Sequence, residues 1–105
     1  MIRDIAEALH LDESGAVTLR DLVELSGLAE AVLRELVDYG ALQPVDVTAP
    51  AWTFTTEVVV TARTAQRLQH DFELDVHALA VVLRYVERID TLESEIRALR
   101  ARTLR

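Results

Sequence analysis

The chain contains no cysteine and no lysine, has three scattered glycines, and never strings together the run of about eighteen apolar residues that a membrane helix needs. Without cysteine there are no disulfides, no thiolate metal sites and no thiol nucleophile or redox chemistry, a composition that fits a reducing compartment. Glycines this sparse cannot build a phosphate-cradling Gly-rich loop. The first residues, with Asp4 and Glu7 among them, lack the cationic and then apolar order of a signal peptide. The expectation is a cytoplasmic protein with no membrane association. The absence of lysine leaves arginine as the sole permanently cationic side chain.

What is present is a 105-residue chain, 50% hydrophobic and 28% charged, which suits one compact domain with a modest core and a helical extension and is too apolar for disorder. The net charge is −7, unevenly spread: residues 1–75 hold 14 acids and 5 arginines, for −9, and residues 76–105 hold 4 acids and 6 arginines, for +2. An acidic body repels nucleic acid, favours encounters with basic proteins, and also keeps a protein soluble.

Apolar spacing organises the chain into helices. Ile2, Ile5, Ala6 and Leu9 predict a short amphipathic helix over 2–10, ended by Asp12-Glu13-Ser14-Gly15. Thr18 with Asp21 reads as a capping box opening a helix whose apolar face is Leu19, Leu22, Val23 and Leu25. Ser26-Gly27-Leu28 is a tight turn in which Gly27 supplies the left-handed conformation. A second helix, Ala29 to Tyr39, carries the stripe Ala29, Val32, Leu33 and Leu36, starts without a side-chain cap and stops at Gly40. Two β-prone pieces, Leu42 to Val47 and Trp52 to Thr55, flank a bend at Thr48-Ala49-Pro50 and predict a small wing or hairpin. A third helix, capped by Thr55 or Thr56, runs to about Phe72, and Asp75 caps a last one from Val76 to about Ala101. The expected fold class is mostly α, a winged helix-turn-helix over residues 1–75 with a small β wing, followed by a long C-terminal dimerisation helix over 76–105.

The last helix carries a heptad pattern. Val82, Ile89 and Ile96 at a, with Ala78, Tyr85, Leu92 and Leu99 at d, make an unbroken seam over roughly three heptads, fading at Thr103. A lone helix cannot bury such a seam, so the expectation is a homodimer held by Val82, Tyr85, Ile89, Leu92, Ile96 and Leu99. β-Branched a with Leu at d is the parallel pattern, but a repeat this short leaves strand direction open.

Several blocks carry a family resemblance: Thr18-Leu19-Arg20-Asp21-Leu22, Ser26-Gly27-Leu28, Tyr39-Gly40-Ala41-Leu42-Gln43-Pro44, Trp52-Thr53-Phe54, and the more discriminating Arg67-Leu68-Gln69-His70-Asp71-Phe72-Glu73-Leu74-Asp75 that leads into the last helix. With the order helix-turn-helix, wing, helix, long tail, the chain resembles the MerR family of regulators, and within it the chaperone-modulator (CbpM) branch. The resemblance implies a small bacterial protein that binds the J domain of a DnaJ-like co-chaperone, typically of the CbpA type, and blocks its productive contact with DnaK. In such J domains a basic helix and an adjoining His-Pro-Asp loop meet DnaK, and an acidic module competes for that surface by complementary charge. DNA-binding members resemble one another in basic side chains on the second helix and wing. Here that helix sets Arg34 against Glu30, Glu35 and Asp38, and the wing, Val45 to Ala51, has no cation, so DNA is an unlikely partner. A dimeric DNA-binding regulator is the alternative function.

No catalytic constellation emerges. Ser14, Ser26 and Ser94 sit in turn or exposed helical positions without a nucleophile motif, and His10, His70 and His77 lack the i, i+4 spacing of a helical zinc site, so neither enzyme activity, nor a metal, nor a cofactor is expected. His70 with Asp71 reads as a helix-end group. The candidate partner-binding residues are Glu30, Arg34, Asp38, Trp52, Asp71 and Glu73; against them stands the plainer reading of solvated acids, a packed wing aromatic, and ion pairs from Arg63 and Arg67 to Asp71, Glu73 and Asp75.

Overall fold

The computed structural model describes residues 16–104. The helix expected over 2–10 lies outside them. Helix α1, Leu19–Ser26, starts at a capping box in which the Asp21 N–H donates to Thr18 Oγ1 at 3.1 Å and the Thr18 N–H donates to Asp21 Oδ2 at 3.2 Å. Gly27, at φ 79°, closes it in the left-handed region and donates to the Val23 carbonyl at 3.0 Å. Ser26 stands at the turn, as its place before Gly27 predicts. It is buried, and its Oγ accepts the Leu28 N–H at 3.1 Å, which satisfies the donor at the heart of the turn.

Helix α2, Glu30–Asp38, is one residue shorter at each end than its apolar stripe predicts, because Ala29 and Tyr39 act as its caps. Ala29 makes no side-chain cap bond. At the other end Gly40, at φ 77°, turns the chain so that the Ala41 N–H reaches the Leu36 carbonyl at 2.8 Å.

The expected hairpin between Leu42–Val47 and Trp52–Thr55 does not form. Strand β2, Thr53–Phe54, pairs instead with β1, Val17–Thr18, antiparallel and in register Val17 with Phe54 and Thr18 with Thr53. The reason is local. Ala41 and Leu42 are both buried, which breaks strand alternation, Pro44 has no N–H to donate, and Asp46 bends the chain by accepting both the N–H (2.9 Å) and the hydroxyl (2.7 Å) of Thr48. The wing is therefore a loop, tied at its base by the Val45 N–H donating to the Thr53 carbonyl at 2.8 Å.

Helix α3, Thr56–Phe72, begins at Thr55 without a side-chain cap bond and buries Val59, Ala62 and Ala65, whose small side chains let α1 lie close against it. Helix α4, Val76–Thr103, begins at Asp75, whose Oδ1 accepts the Ala78 N–H at 2.8 Å, and runs past the expected Ala101. Its first turns bury Leu79, Ala80 and Leu83 beside Leu22, Leu33, Leu36, Phe54 and Val59, so the long helix is part of the core before it leaves it. Burial of each of these large side chains stabilises by about 1.5–3 kcal/mol. At 28 residues α4 spans about 42 Å, which accounts for the longest molecular extent of 47 Å. No helix among the described residues is long and apolar enough to cross a membrane.

Candidate protein-interaction surface

The outward face of α2 presents Glu30, Arg34 and Asp38, one helical turn apart and all exposed. Arg34 does not project freely. Its Nε lies 3.4 Å from Glu30 Oε2, and its guanidinium carbon lies 5.5 Å from the centre of the Trp52 ring. The cation of the helix that would read DNA is thus folded back onto a carboxylate and an aromatic ring of its own chain.

Trp52 is half-buried, and its indole Nε1 donates to the Val47 carbonyl at 3.1 Å, which fixes the ring against the wing. The Asp46 turn holds that wing in shape. The Thr48 hydroxyl and then the Thr48 N–H stabilise the Asp46 carboxylate and lower its pKa below 3.8, outweighing a small opposing effect of burial. Val45 and Val47 stand exposed beside the tryptophan. Between α1, α2 and the wing lies an open cleft of 490 Å³ lined by Arg20, Glu30, Arg34, Pro50 and Trp52 among others.

Asp71 and Glu73 belong to a second patch, the junction of α3 and α4. Both are exposed, and among the described residues Glu73 is the one non-glycine held in the left-handed region, at φ 52° and ψ 41°. The Gln69 Nε2 donates across the junction to the Leu74 carbonyl at 3.4 Å. Tyr39, next to Asp38, meets His77 in the first turn of α4 edge to face, with ring centres 5.3 Å apart. That contact sets the C-terminal end of α2 beside the junction. Of the expected site residues, then, Glu30, Arg34 and Trp52 are brought into contact, Asp38 extends their face, and Asp71 and Glu73 stand on the adjoining junction. Phe72 stands 66% exposed between those two acids, and nothing in the sequence marks it as more than a helix end.

The expected ion pairs to the junction are not formed. The Arg63 Nε donates to the Leu25 carbonyl at 3.1 Å, serving the end of α1, and the ion pairs among the described residues are Arg34 with Glu30 and Arg20 with Glu24 at 3.9 Å. His70 lies exposed in the last turn of α3. Among the described residues no group of His, Asp or Glu side chains is placed to hold a metal ion.

Along α4 the heptad residues Tyr85, Ile89, Leu92, Ile96 and Leu99 are 40–67% exposed, a continuous apolar stripe. Val82 is half-buried against the body, and the exposed apolar residue at that level is Val81.

A capped helix-turn-helix, a strand pair joining its entry to the wing, and a long trailing helix define a winged helix-turn-helix regulator whose second helix offers acids. The model of the MerR HTH family of regulatory proteins matches residues 17–101, and the chain belongs to that family. It is similar to the chaperone modulatory protein CbpM of Escherichia coli O1:K1 / APEC, 31% identical over 88 residues that make up 84% of this chain and 87% of that one. The proteins of the same name from the Escherichia coli strains S88 and E24377A match over the same shares at the same identity. It is a CbpM-like member of the family.

Proposed function

We propose that the protein is a cytoplasmic chaperone modulator that binds the J domain of a CbpA/DnaJ-like co-chaperone and, by occupying it, keeps the co-chaperone from acting with DnaK. The observation that carries this reading is the α2 face. The helix that a DNA-binding relative would lay against phosphates presents Glu30, Glu35 and Asp38 to solvent, while its cation, Arg34, is paired with Glu30 and set against Trp52. An anionic, aromatic-edged surface suits a basic protein helix. The name carried by the Escherichia coli relatives supports the chaperone connection. The protein acts as a homodimer through the exposed stripe of α4, which leaves the α2 face and the Asp71–Glu73 junction free for the partner.

Titration calorimetry against the isolated J domain of the host's CbpA-like protein, at low and high salt, tests the reading. Saturable binding that weakens with salt is expected. A folded J domain that gives no binding heat discards it, and duplex binding with a steep inverse salt dependence puts a DNA-reading regulator in its place.

A further inference from the structure

We propose that Glu30 and the face of Trp52 form a seat for a guanidinium or ammonium group of the partner protein, and that Arg34 occupies this seat as a self-plug in the free protein. The inference deepens the proposed function and rests on it for the identity of the partner. A carboxylate with an aromatic face beside it is the pairing that holds an alkylated cation, by charge on one side and by the ring quadrupole on the other. Both halves of the seat are held in place by the fold. Glu30 is anchored in the first turn of α2, and Trp52 is fixed by its bond to the Val47 carbonyl and by the turn that Asp46 closes with Thr48. The seat opens into the 490 Å³ cleft, which has room for a long basic side chain entering past Pro50.

The plug is weakly retained. The Arg34 and Glu30 side chains are 54% and 59% exposed, their separation is 3.4 Å, and the pair is an i, i+4 contact of the kind that water and salt largely screen. A cation delivered by a docked protein surface, with its entropy already spent on docking, displaces such a plug readily. Arg34 then swings into solvent. This arrangement excludes weak cationic visitors while admitting a partner that supplies further contacts, and it makes Arg34 a negative determinant of affinity.

The chain has one tryptophan, so its emission reports on the seat directly. The experiment titrates hexa-arginine, and separately the J domain, into the wild type and into Arg34→Met, Glu30→Gln and Arg97→Met, following Trp52 fluorescence, with circular dichroism to confirm folding. Arg97→Met removes the same charge on the exposed length of α4, away from the cleft. Removing the plug is expected to tighten both ligands by about three- to tenfold. Glu30→Gln is expected to weaken hexa-arginine to a comparable degree, and Arg97→Met to leave it near wild type. If Arg34→Met binds hexa-arginine no better than Arg97→Met does, the self-plug is overturned. If the J domain binds the wild type but more weakly once Arg34 is replaced, Arg34 is itself a contact and the inference fails while the proposed function stands. If hexa-arginine follows the expected order and the J domain binds no form, the seat is real and the identity of its partner is wrong.

Discussion

At the scale of single residues, two acids depart from the behaviour of ordinary surface carboxylates. Glu73 ends α3 in the left-handed region, where an L side chain is strained by roughly 1–2 kcal/mol and glycine is not. Glu73→Gly is therefore expected to raise stability by up to about 1 kcal/mol in thermal unfolding, the gain being trimmed by the freer unfolded chain. If the junction is part of the partner surface, the same variant binds the J domain more weakly, separating stability from function. Asp46 has a pKa depressed below 3.8 by the Thr48 hydroxyl and N–H. A depressed carboxylate contributes stability that is present above its unfolded value and is lost as pH falls through the folded one. The wing should thus hold its shape through the ordinary carboxylate range and loosen only at more acid pH, read as a change in Trp52 emission that Asp46→Asn abolishes. The sequence made the identity of these acids plain but not their circumstances. Whether Arg63 pairs with an acid or with the Leu25 carbonyl depends on how α3 lies against α1, and no spacing along the chain encodes that.

At the scale of elements, the helices among the described residues and the strand at Thr53–Phe54 were legible, and the partner of that strand was not. The Thr18–Asp21 box, the Asp75 cap, the Gly27 and Gly40 stops and the apolar stripes are short-range signals, complete within a few residues, and the structure bears them out. The expected hairpin pairing failed because strand pairing is settled by what lies alongside. Val17–Thr18, whose strand character gave no signal in so short a run, takes up Thr53–Phe54 and places Phe54 wholly inside the core. The heptad stripe of α4 makes its own prediction. Replacing Ile89 and Leu92 together with aspartate should convert a dimer into a monomer in sedimentation equilibrium while leaving the body folded, because both side chains lie beyond the part of α4 that the core buries. A double variant that still sediments as a dimer would reject the seam.

At the scale of the whole molecule, α4 links the body to the proposed dimer by serving both. Its first turns bury Leu79, Ala80 and Leu83 against Leu33, Leu36 and Phe54, and its last turns project beyond every other element. Leu83→Ala is expected to cost about 2–5 kcal/mol in denaturant unfolding, far more than truncation of Leu99 in the monomer, because only the former leaves a cavity. A cost under about 1 kcal/mol would mean that the helix contributes little to the core. The C-terminal end of α2 is likewise brought beside the α3–α4 junction only at this scale, through the meeting of Tyr39 with His77. The sequence by itself determined the helix-turn-helix, the Thr18 and Asp75 caps, the acidic cast of α2, the heptad stripe and, through the resemblance, the family, because each is a local or periodic property of consecutive residues. Only the tertiary structure decided that Thr53–Phe54 pairs with Val17–Thr18 ahead of α1, that the root of α4 belongs to the core, and that Arg34 rests between Glu30 and Trp52. Those outcomes depend on which distant surfaces bury each other, and the free energy of burial is a property of neighbours in space.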